Sequence, residues 1–410
     1  MSLTVRILLA LVAGLGCGIA LAEWGGAWEA QAVAVAQPVG KAWLGGLQMP
    51  LVPLIFALLV TGIAQAAATA RSNGMAGRAI GLFALLLTAA AGVAALAGPV
   101  MLRLWPVPPG AVGALAGAAP VAEVPDVRPS AEWLLGFIPV NPIRAASEGQ
   151  VVAVVLFALV FGFAVTRIGA ERRAMLTGFF EALADALLVV VRWVLWLAPL
   201  GVFALALVAG ARSGLATAGA LLHYIGFIVA LCLIVTLLLY PMVAGAGRIG
   251  LLRFARAALP AQAIAFSTQS SIASLPAMIE ASDGPLQVRE TSRSIVLPLA
   301  ISLFRITSPT ANLGVAIYVA AMNGVPLGAV QLVLGVGVAA IVSLAAVGLP
   351  SQITFFTTTG PICLAMGVPV EALPLLLAVE TVPDIFRTVG NVTADMGVTR
   401  ILDVREGGAR

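Results

Sequence analysis

Six polar side chains recur at helical spacing in an otherwise apolar stretch near the C-terminus, residues 375–402. With about 100° per helical residue, all six fall within an arc of about 100° and share one face of the predicted helix. They are Glu380, Asp384, Arg387, Thr388, Asn391 and Asp395. Polar and charged groups are costly inside a bilayer and usually face a bundle interior or an aqueous cavity. The pattern therefore predicts one wall of a binding site. The alternative is a structural ion pair between Asp384 and Arg387 that only fixes packing.

The two kinds of charge on this face suit different parts of a small zwitterion. The guanidinium of Arg387 presents a planar pair of donors that matches a carboxylate, whereas Asp384 complements an ammonium group. A substrate without an amine would be repelled by Asp384. The set of Asp384, Arg387 and Asn391 therefore favours an amino acid with a side-chain carboxylate over a plain dicarboxylate.

The composition is that of a polytopic membrane protein. Of the 410 residues, 61% are hydrophobic and 10% are charged, and the mean hydropathy is +1.08. A soluble protein needs more charged surface than this. The net charge of +4 does not indicate nucleic-acid binding, because most charges lie in short predicted loops. The single histidine, His223, cannot form a histidine metal cluster, and the three cysteines form neither a CxxC motif nor a disulfide framework.

Eight apolar runs are long enough to cross a bilayer. They lie at about 4–22, 44–68, 78–104, 133–168, 175–211, 218–246, 290–323 and 369–402. The first is too long for a signal-peptide core and is predicted to be a retained span. The arginines fit one side of the membrane, which the positive-inside rule assigns to the cytoplasm. Both termini are then cytoplasmic, and the Pro- and Gly-rich loop 106–132 is external.

Two further segments, 251–280 and 347–372, do not have the pattern of ordinary spans. In each, short apolar arms flank a polar or Pro/Gly-containing centre, and neither arm of the first is long enough to cross. Broken helices with exposed backbone are tolerated at membrane depth only against protein or a cavity. In secondary transporters they mark the substrate site near the midplane. The alternative is a pair of kinked spans.

Three motifs resemble the dicarboxylate/amino acid:cation symporters, the glutamate transporter family. They are SSIASLP (270–276), VGLPSQ (347–352) and DIFRTVGNVTAD (384–395), and the similarity runs in order across nearly the whole chain. The resemblance implies an all-α polytopic membrane fold of about eight transmembrane helices and two re-entrant helical hairpins. It further implies a homotrimer in the lipid bilayer of the bacterial inner membrane, in which an inner transport domain moves like an elevator against an outer scaffold.

The resemblance also divides the chain into domains. Residues 1–72 would form scaffold helices 1–2, 73–105 transport-domain helix 3, and 106–212 scaffold helices 4–5 with the external loop. Residues 213–410 would complete the transport domain. That last part would comprise helix 6, a hairpin at 251–280, a helix at 289–323, a hairpin at 329–367 and a helix at 369–403.

Residue by residue, the family's substrate site maps onto this chain. Asp384 matches the partner of the substrate amino group, and Arg387 matches the partner of a side-chain carboxylate. Thr388 and Asn391 match the neighbouring hydroxyl and amide, with Asn391 reaching the α-carboxylate. The other matched positions are Ser270 and Ser271 at the first hairpin tip, Leu349 and Pro350 at the second, and Ser308 on the helix 289–323.

The cation-binding half of the family pattern is altered. Where the family has an Asn-Met-Asp-Gly-Thr run, this chain has Phe304–Ser308, FRITS, and helix 3 has Leu85, Thr88 and Ala89 where a tyrosine and two hydroxyls are expected. Sodium needs several oxygen ligands, and from the last helix only Asn391 and Asp395 remain as a residual metal site. Ser302 and Ser343 offer hydroxyls near the other positions.

Two residues are candidates for coupling in place of sodium. Arg305 sits where the family has methionine, and its fixed charge would replace a bound cation and pair with Asp395 or Asp384. Snorkelling to an interface is the alternative, which a mid-helix position disfavours. Glu380 is a candidate proton carrier if it is buried, or else a structural partner of Arg387.

The sequence therefore predicts a secondary active transporter that imports acidic amino acids or related dicarboxylates by cation symport. Sodium dependence is expected to be reduced, the coupling cation to be Na⁺ or H⁺, and no cofactor is implied. The alternative is an anion channel or a substrate sensor on the same scaffold. An enzyme is not predicted, because no HExxH, GxSxG or nucleotide-binding Gly loop occurs in the chain.

Overall fold

The computed structural model describes residues 3–72, 74–108, 138–345 and 351–407. Within these ranges the regular elements are all α-helices. In chain order they are α1 (Leu3–Trp24), α2 (Ala27–Gln48), α3 (Leu51–Ser72), α4 (Gly74–Leu104), α5 (Pro142–Ser147), α6 (Val151–Val165), α7 (Ala170–Trp196), α8 (Ala198–Ser213), α9 (Leu215–Ala246), α10 (Leu251–Thr268), α11 (Leu275–Asp283), α12 (Glu290–Leu303), α13 (Thr307–Met322), α14 (Ala329–Ala345), α15 (Ser351–Ala365), α16 (Leu373–Val379) and α17 (Thr381–Arg405).

The helices are compatible with a multi-pass membrane protein, as the composition predicts. Among the described residues, six helical segments are long and apolar enough to cross a bilayer. They are Val5–Trp24, Trp28–Ala70, Gly74–Leu104, Ala170–Trp196, Leu215–Ala246 and Glu290–Met322. The all-helical class is confirmed, whereas the count of eight spans remains a prediction.

The helix division differs from the predicted one because prolines interrupt the apolar runs. Residues 3–72, where two helices are predicted, contain α1, α2 and α3. Within 138–213, α5, α6, α7 and α8 occupy the described part of the segment 106–212, where two helices are also predicted. Proline has no N–H to donate to the carbonyl four residues earlier, and its ring crowds that carbonyl. Pro50 thus separates α2 from α3, and Pro199 lies in the first turn of α8, directly after α7 ends.

The predicted helix over 289–323 is divided at residues 304–306 into α12 and α13, within the segment Glu290–Met322 that is long and apolar enough to cross a bilayer. Phe304 leaves helical geometry with φ −108° and ψ 87°. Pro309 cannot bond the carbonyl of Arg305, which instead accepts the N–H of Ser308 at 2.9 Å. Arg305 therefore lies in a break, not in the middle of a helix as expected.

Both predicted hairpin segments form helical pairs. The first consists of α10 and α11, which pack together and are joined through residues 269–274, with Gln269 in the left-handed region at φ +54°. The second consists of α14 and α15. Its predicted tip, including Leu349 and Pro350, lies outside the described residues, as do the side chains of Ser351, Gln352 and Ile353.

Helix α17 lies at the centre of the C-terminal half, packed against α9, α10, α12 and α13. Its side chains from Asn391 to Asp403 are buried without interruption. Two glycines allow the close approach of neighbouring helices. A Cβ at Gly390 would lie 2.5 Å from atoms of both Thr236 and Thr307, and one at Gly397 would lie 2.5 Å from Val243.

The N-terminal helix α1 packs along α8, and glycines again allow the close approach of the two helices. A Cβ at Gly14 would lie 2.5 Å from the carbonyl oxygen of Phe203, and one at Gly18 would lie 2.3 Å from that of Leu207. Small residues let two apolar helices approach closely where there is no hydrophobic drive between them in lipid. The first predicted span is thus a packed helix of the fold.

Candidate functional site

Arg387 is the centre of the polar site, and its side chain is only 6% exposed. Nη1 forms an ion pair with Oε1 of Glu380, and Nη2 donates to Oδ1 of Asn312 at 2.7 Å. The ion pair considered from the sequence, between Arg387 and Asp384, is therefore not the short contact. Asp384 is half-buried one turn away and interacts with Arg387 electrostatically. Of the two roles considered for Glu380, the structure shows the pairing with Arg387.

The ion pair is fixed by side chains from three other helices. The hydroxyl of Tyr224 on α9 donates to Oε2 of Glu380 at 2.7 Å. Asn312 on α13 uses its other end to donate from Nδ2 to Oγ1 of Thr358 on α15, also at 2.7 Å. Tyr224, Asn312 and Thr358 are each at most 1% exposed. A continuous buried network thus joins α9, α13, α15 and α17 around one guanidinium.

Asn391 holds the first turn of α13 against α17. Its Oδ1 accepts both the backbone N–H of Thr307 at 3.0 Å and the Thr307 hydroxyl at 2.8 Å. Because the oxygen accepts from Thr307, the orientation of the amide is fixed. The nitrogen Nδ2 then points away from Thr307 and can donate to an anion. The hydroxyl of Thr388 donates to the backbone carbonyl of Asp384 at 2.8 Å, which leaves its oxygen able to accept.

Asp395 lies deeper in the bundle and is 1% exposed. Within the described part of the chain, neither of its carboxylate oxygens has a hydrogen-bond partner. It interacts electrostatically with Arg305, which is half-buried in the break between α12 and α13. Arg305 also interacts with Asp384. A carboxylate in this position is suited to a cation, whether a bound ion or the guanidinium of Arg305.

The oxygen ligands expected around this carboxylate are few. Asn391 turns its side-chain oxygen to Thr307, and the hydroxyl of the exposed Ser302 donates to the carbonyl of Pro298 at 2.8 Å. The hydroxyl of Ser343 is buried without a hydrogen-bond partner among the described residues. The same part of the chain contains no group of three or more His, Cys, Asp and Glu side chains arranged to hold a metal.

The face of α4 that meets α12 and α17 is not the one expected from the sequence. Leu85, Thr88 and Ala89 are exposed, and the Thr88 hydroxyl bonds back to its own helix. The buried stripe of α4 contains Phe83, whose ring stacks on Phe304 with centroids 4.7 Å apart. A helical face is selected by packing, which a linear match does not report, so the match at Leu85, Thr88 and Ala89 stays a prediction. Apolar rings therefore occupy this contact.

The first hairpin brings its serines toward the N-terminal end of α17, where Asp384 and Arg387 lie. Ser270 and Ser271 are half-buried in the turn after α10, and Ser270 accepts the N–H of Ala273 at 3.2 Å. One turn before them, the ring of Phe266 lies edge-on to Phe386, with centroids 6.3 Å apart. The hairpin tip therefore lies beside the Asp384–Arg387 part of α17. Ser308 is buried in the first turn of α13.

Sequence reasoning missed Tyr224, Asn312 and Thr358. Each carried a detectable signal, because the phenol of Tyr224, the amide of Asn312 and the run of threonines around Thr358 each interrupt an otherwise apolar segment. Their shared role was not detectable, because they lie on three helices whose mutual register comes only from the fold. The predicted site residue Leu349 lies outside the described residues.

Residues 3–404 match the family described as the Sodium:dicarboxylate symporter family. The chain is 28% identical over 409 residues to C4-dicarboxylate transport protein 2 of Ralstonia nicotianae, covering 97% of this chain and 87% of that protein. It is 29% identical over 434 residues to Neutral amino acid transporter B(0) of Oryctolagus cuniculus, covering 96% and 78%. It is 25% identical over 379 residues to the Proton/sodium-glutamate symport protein of Bacillus subtilis, covering 90% and 86%.

These similarities extend over almost all of the chain, in agreement with the multi-pass helical fold and the buried polar network around Arg387. The family consists of symporters rather than enzymes, and its members couple transport to Na⁺ or H⁺. With a match over residues 3–404, this chain belongs to the sodium:dicarboxylate symporter family.

Proposed function

We propose that the protein is a secondary active transporter that imports acidic amino acids, glutamate or aspartate, or related dicarboxylates. The observation that carries this proposal is a buried guanidinium, Arg387, already paired with a carboxylate, that of Glu380. A site built to hold one carboxylate against Arg387 has the geometry to hold another. The substrate's side-chain carboxylate takes the place of Glu380 when it binds.

The neighbouring groups suit the rest of an amino acid. Asp384, half-buried beside Arg387, attracts the ammonium group, and the Thr388 oxygen is able to accept from it. The amide nitrogen of Asn391 donates to the α-carboxylate, since its oxygen is engaged by Thr307. Ser270, Ser271 and Ser308 supply further hydroxyls from the first hairpin tip and from α13, and Leu349 is proposed to contact the substrate from the predicted tip of the second hairpin. A dicarboxylate without an amine would satisfy Arg387 but not Asp384.

Exchange at Arg387 gives Glu380 a role in coupling. When the substrate displaces it, the freed carboxylate is left in a buried position, where an unpaired charge is unfavourable and a proton is the simplest neutralising partner. Glu380 is therefore proposed both as the partner of Arg387 in the empty carrier and as a proton carrier in the loaded one.

Sodium dependence is proposed to be reduced. Phe304, which stands where the family pattern supplies a cation ligand, stacks on Phe83, and Asn391 turns its oxygen away toward Thr307. Asp395 remains as the residual cation site, and Arg305 supplies a covalently attached positive charge nearby. Snorkelling is a poorer explanation of Arg305, because residues on both sides of it are buried in the bundle.

The larger-scale mechanism follows the family. Residues 73–105 and 213–410 are proposed to form a transport domain that moves as an elevator for alternating access. The remaining residues up to 212 form the scaffold of a homotrimer in the bacterial inner membrane, with both termini cytoplasmic. Continuous packing of α17 against α9, α10, α12 and α13 supports movement of these helices as one body.

A passive anion channel or a substrate sensor is the second candidate, favoured by the aromatic stack that replaces cation ligands. Uptake of radiolabelled aspartate into proteoliposomes, with and without a sodium gradient and with and without a proton gradient, separates these functions. A symporter accumulates aspartate above the external concentration in at least one gradient. Equilibration without accumulation in every gradient refutes the proposed function. Strict dependence on sodium refutes the reduced sodium coupling alone.

Binding calorimetry identifies the substrate class. The ligands are L-aspartate, L-glutamate, succinate and a neutral amino acid, each with and without sodium. The site geometry predicts that the acidic amino acids bind more tightly than succinate, because only they satisfy both Arg387 and Asp384. Equal affinity for succinate and aspartate would contradict the role given to Asp384.

A further inference from the structure

Asn312 is completely buried and uses both ends of its amide in opposite directions. Its Oδ1 accepts from Nη2 of Arg387, and its Nδ2 donates to the Oγ1 of Thr358, both at 2.7 Å. A guanidinium can only donate, so the oxygen must face Arg387 and the NH₂ group must face Thr358. Arg387 therefore sets the orientation of the amide, and Thr358 accepts the hydrogen bond from the NH₂ group in that orientation.

Thr358 belongs to a run of three buried threonines, 357–359, on α15. This helix is the second arm of the second hairpin and begins directly after the segment 346–350 that joins it to α14. The contact between Asn312 and Thr358 consequently connects the guanidinium of α17 to a hairpin arm through a single side chain of α13. The pairing of Arg387 with Glu380 does not need this contact.

We propose that Asn312 is a positioning residue that transmits the occupancy of Arg387 to α15 through Thr358. The inference rests on the proposed function, because it requires that a substrate carboxylate replaces Glu380 at Arg387. When the guanidinium turns from Glu380 toward the substrate, the oxygen of Asn312 follows its donor. The hydrogen bond to Thr358 is already present while Arg387 pairs with Glu380. The amide nitrogen moves with the oxygen and draws the Thr358 hydroxyl, so that α15 is held more tightly when Arg387 holds a substrate.

Hydrogen exchange of the full-length protein in nanodiscs, with and without L-aspartate, measures this link. In the wild type, aspartate slows exchange in two segments, 351–365 on α15 and 381–405 on α17. Thr358→Val keeps the shape of the side chain but removes the hydroxyl acceptor. We expect the aspartate-induced slowing to fall to less than about half in 351–365 and to persist in 381–405. Because one net hydrogen bond is lost, aspartate affinity should weaken about fivefold.

Thr358→Ser is the matched control, since it retains the hydroxyl and should keep the slowing in both segments. A purely structural role for Thr358 would raise exchange equally with and without aspartate and leave the aspartate-induced difference unchanged. Wild-type slowing in 351–365 of Thr358→Val would therefore overturn the relay, as would loss of the slowing in both segments. If Thr358→Val does not fold, Thr358→Ala is measured by the same criterion.

A second measurement addresses Asn312 itself. Asn312→Leu removes both polar ends of the amide with little change in side-chain volume, so the link between Arg387 and Thr358 is lost while Arg387 keeps Glu380. The aspartate-induced slowing should be lost in 351–365 and persist in 381–405, and its retention in 351–365 would overturn the relay. If wild-type protein does not bind aspartate in calorimetry, the proposed function fails, and the relay fails with it.

Discussion

Replacing Glu380 by glutamine should make the empty carrier less stable and the aspartate-bound carrier relatively more favourable. Glu380 is 4% exposed and accepts from both Arg387 and Tyr224. Glutamine has almost the same shape but carries no charge, so Arg387 loses its buried counterion. Only a substrate carboxylate can then restore the ion pair, and the substrate no longer competes with a resident carboxylate.

Removing one partner of a buried ion pair costs about 3–5 kcal/mol. Arg387 keeps its bond to Asn312 and its interaction with Asp384, so we expect the lower end, about 3 kcal/mol, for the empty protein. An aspartate side chain that restores the pair recovers part of this energy. The affinity for aspartate should therefore rise about 10- to 100-fold, since each 1.4 kcal/mol corresponds to about a factor of ten.

Calorimetry and thermal unfolding of purified protein test both halves of this prediction. The apparent melting temperature of Glu380→Gln without ligand should fall below that of the wild type, and the increase caused by aspartate should be larger. L-asparagine, which has an amide in place of the carboxylate, should gain little affinity. Tyr224→Phe is the control, because it removes one hydrogen bond but retains the charge of Glu380, at a cost of about 1–2 kcal/mol, with no gain in aspartate affinity. The exchange at Arg387 would be refuted if Glu380→Gln bound aspartate no more tightly than the wild type.

Three further substitutions test other parts of the site. Arg387→Cys should abolish measurable aspartate binding in calorimetry, because it removes the only buried guanidinium on the substrate face of α17; unchanged affinity would refute the role of Arg387. Gly390→Ala should lower the apparent melting temperature, because its Cβ would lie 2.5 Å from atoms of Thr236 and Thr307, and the expected cost in stability is about 1–3 kcal/mol. Gly245→Ala on α9 is the control. It should have little effect, because nothing lies within 4 Å of the new Cβ. Arg305→Met should leave Asp395 without its nearby positive charge and lower the apparent melting temperature. Sodium chloride should restore more of the melting temperature than choline chloride does, and equal restoration by the two salts would contradict the cation-replacement role of Arg305.

The polar face of α17 could be predicted because spacing alone places residues on a helix surface. Glu380 and Arg387 are seven residues apart, which is about two turns or 10 Å along the axis, and both side chains are long enough to meet. Two partners for Arg387 are open from the sequence, namely Asp384 at the usual three-residue spacing of a helical ion pair and Glu380 seven residues away. The structure pairs Arg387 with Glu380, the more buried of the two carboxylates, where a counterion matters most.

The breaks in the helices were also predictable in principle. Pro309 and Pro383 each remove a donor from the carbonyl four residues earlier, and the chain leaves regular helix close to both. A long apolar run nevertheless does not indicate where its helix is interrupted, because hydropathy does not report which backbone N–H groups are missing. The contacts of Asn312 with Thr358 and of Phe83 with Phe304 join distant segments. No local pattern specifies such contacts between helices.

The position of Arg305 in the break between α12 and α13 has an energetic consequence for the transport cycle. A dissociable cation enters with the substrate and is left behind, so the membrane potential does work on it at about 2.3 kcal/mol per charge per 100 mV. A covalently attached cation returns with the empty carrier, and no net work is done on it over a complete cycle. Replacing one bound sodium by Arg305 would lower the attainable ratio of internal to external substrate about 50-fold at a membrane potential of 100 mV, through the lost electrical work alone. Such a carrier is suited to a cell in which the acidic substrate is plentiful outside, or to exchange of one anion for another.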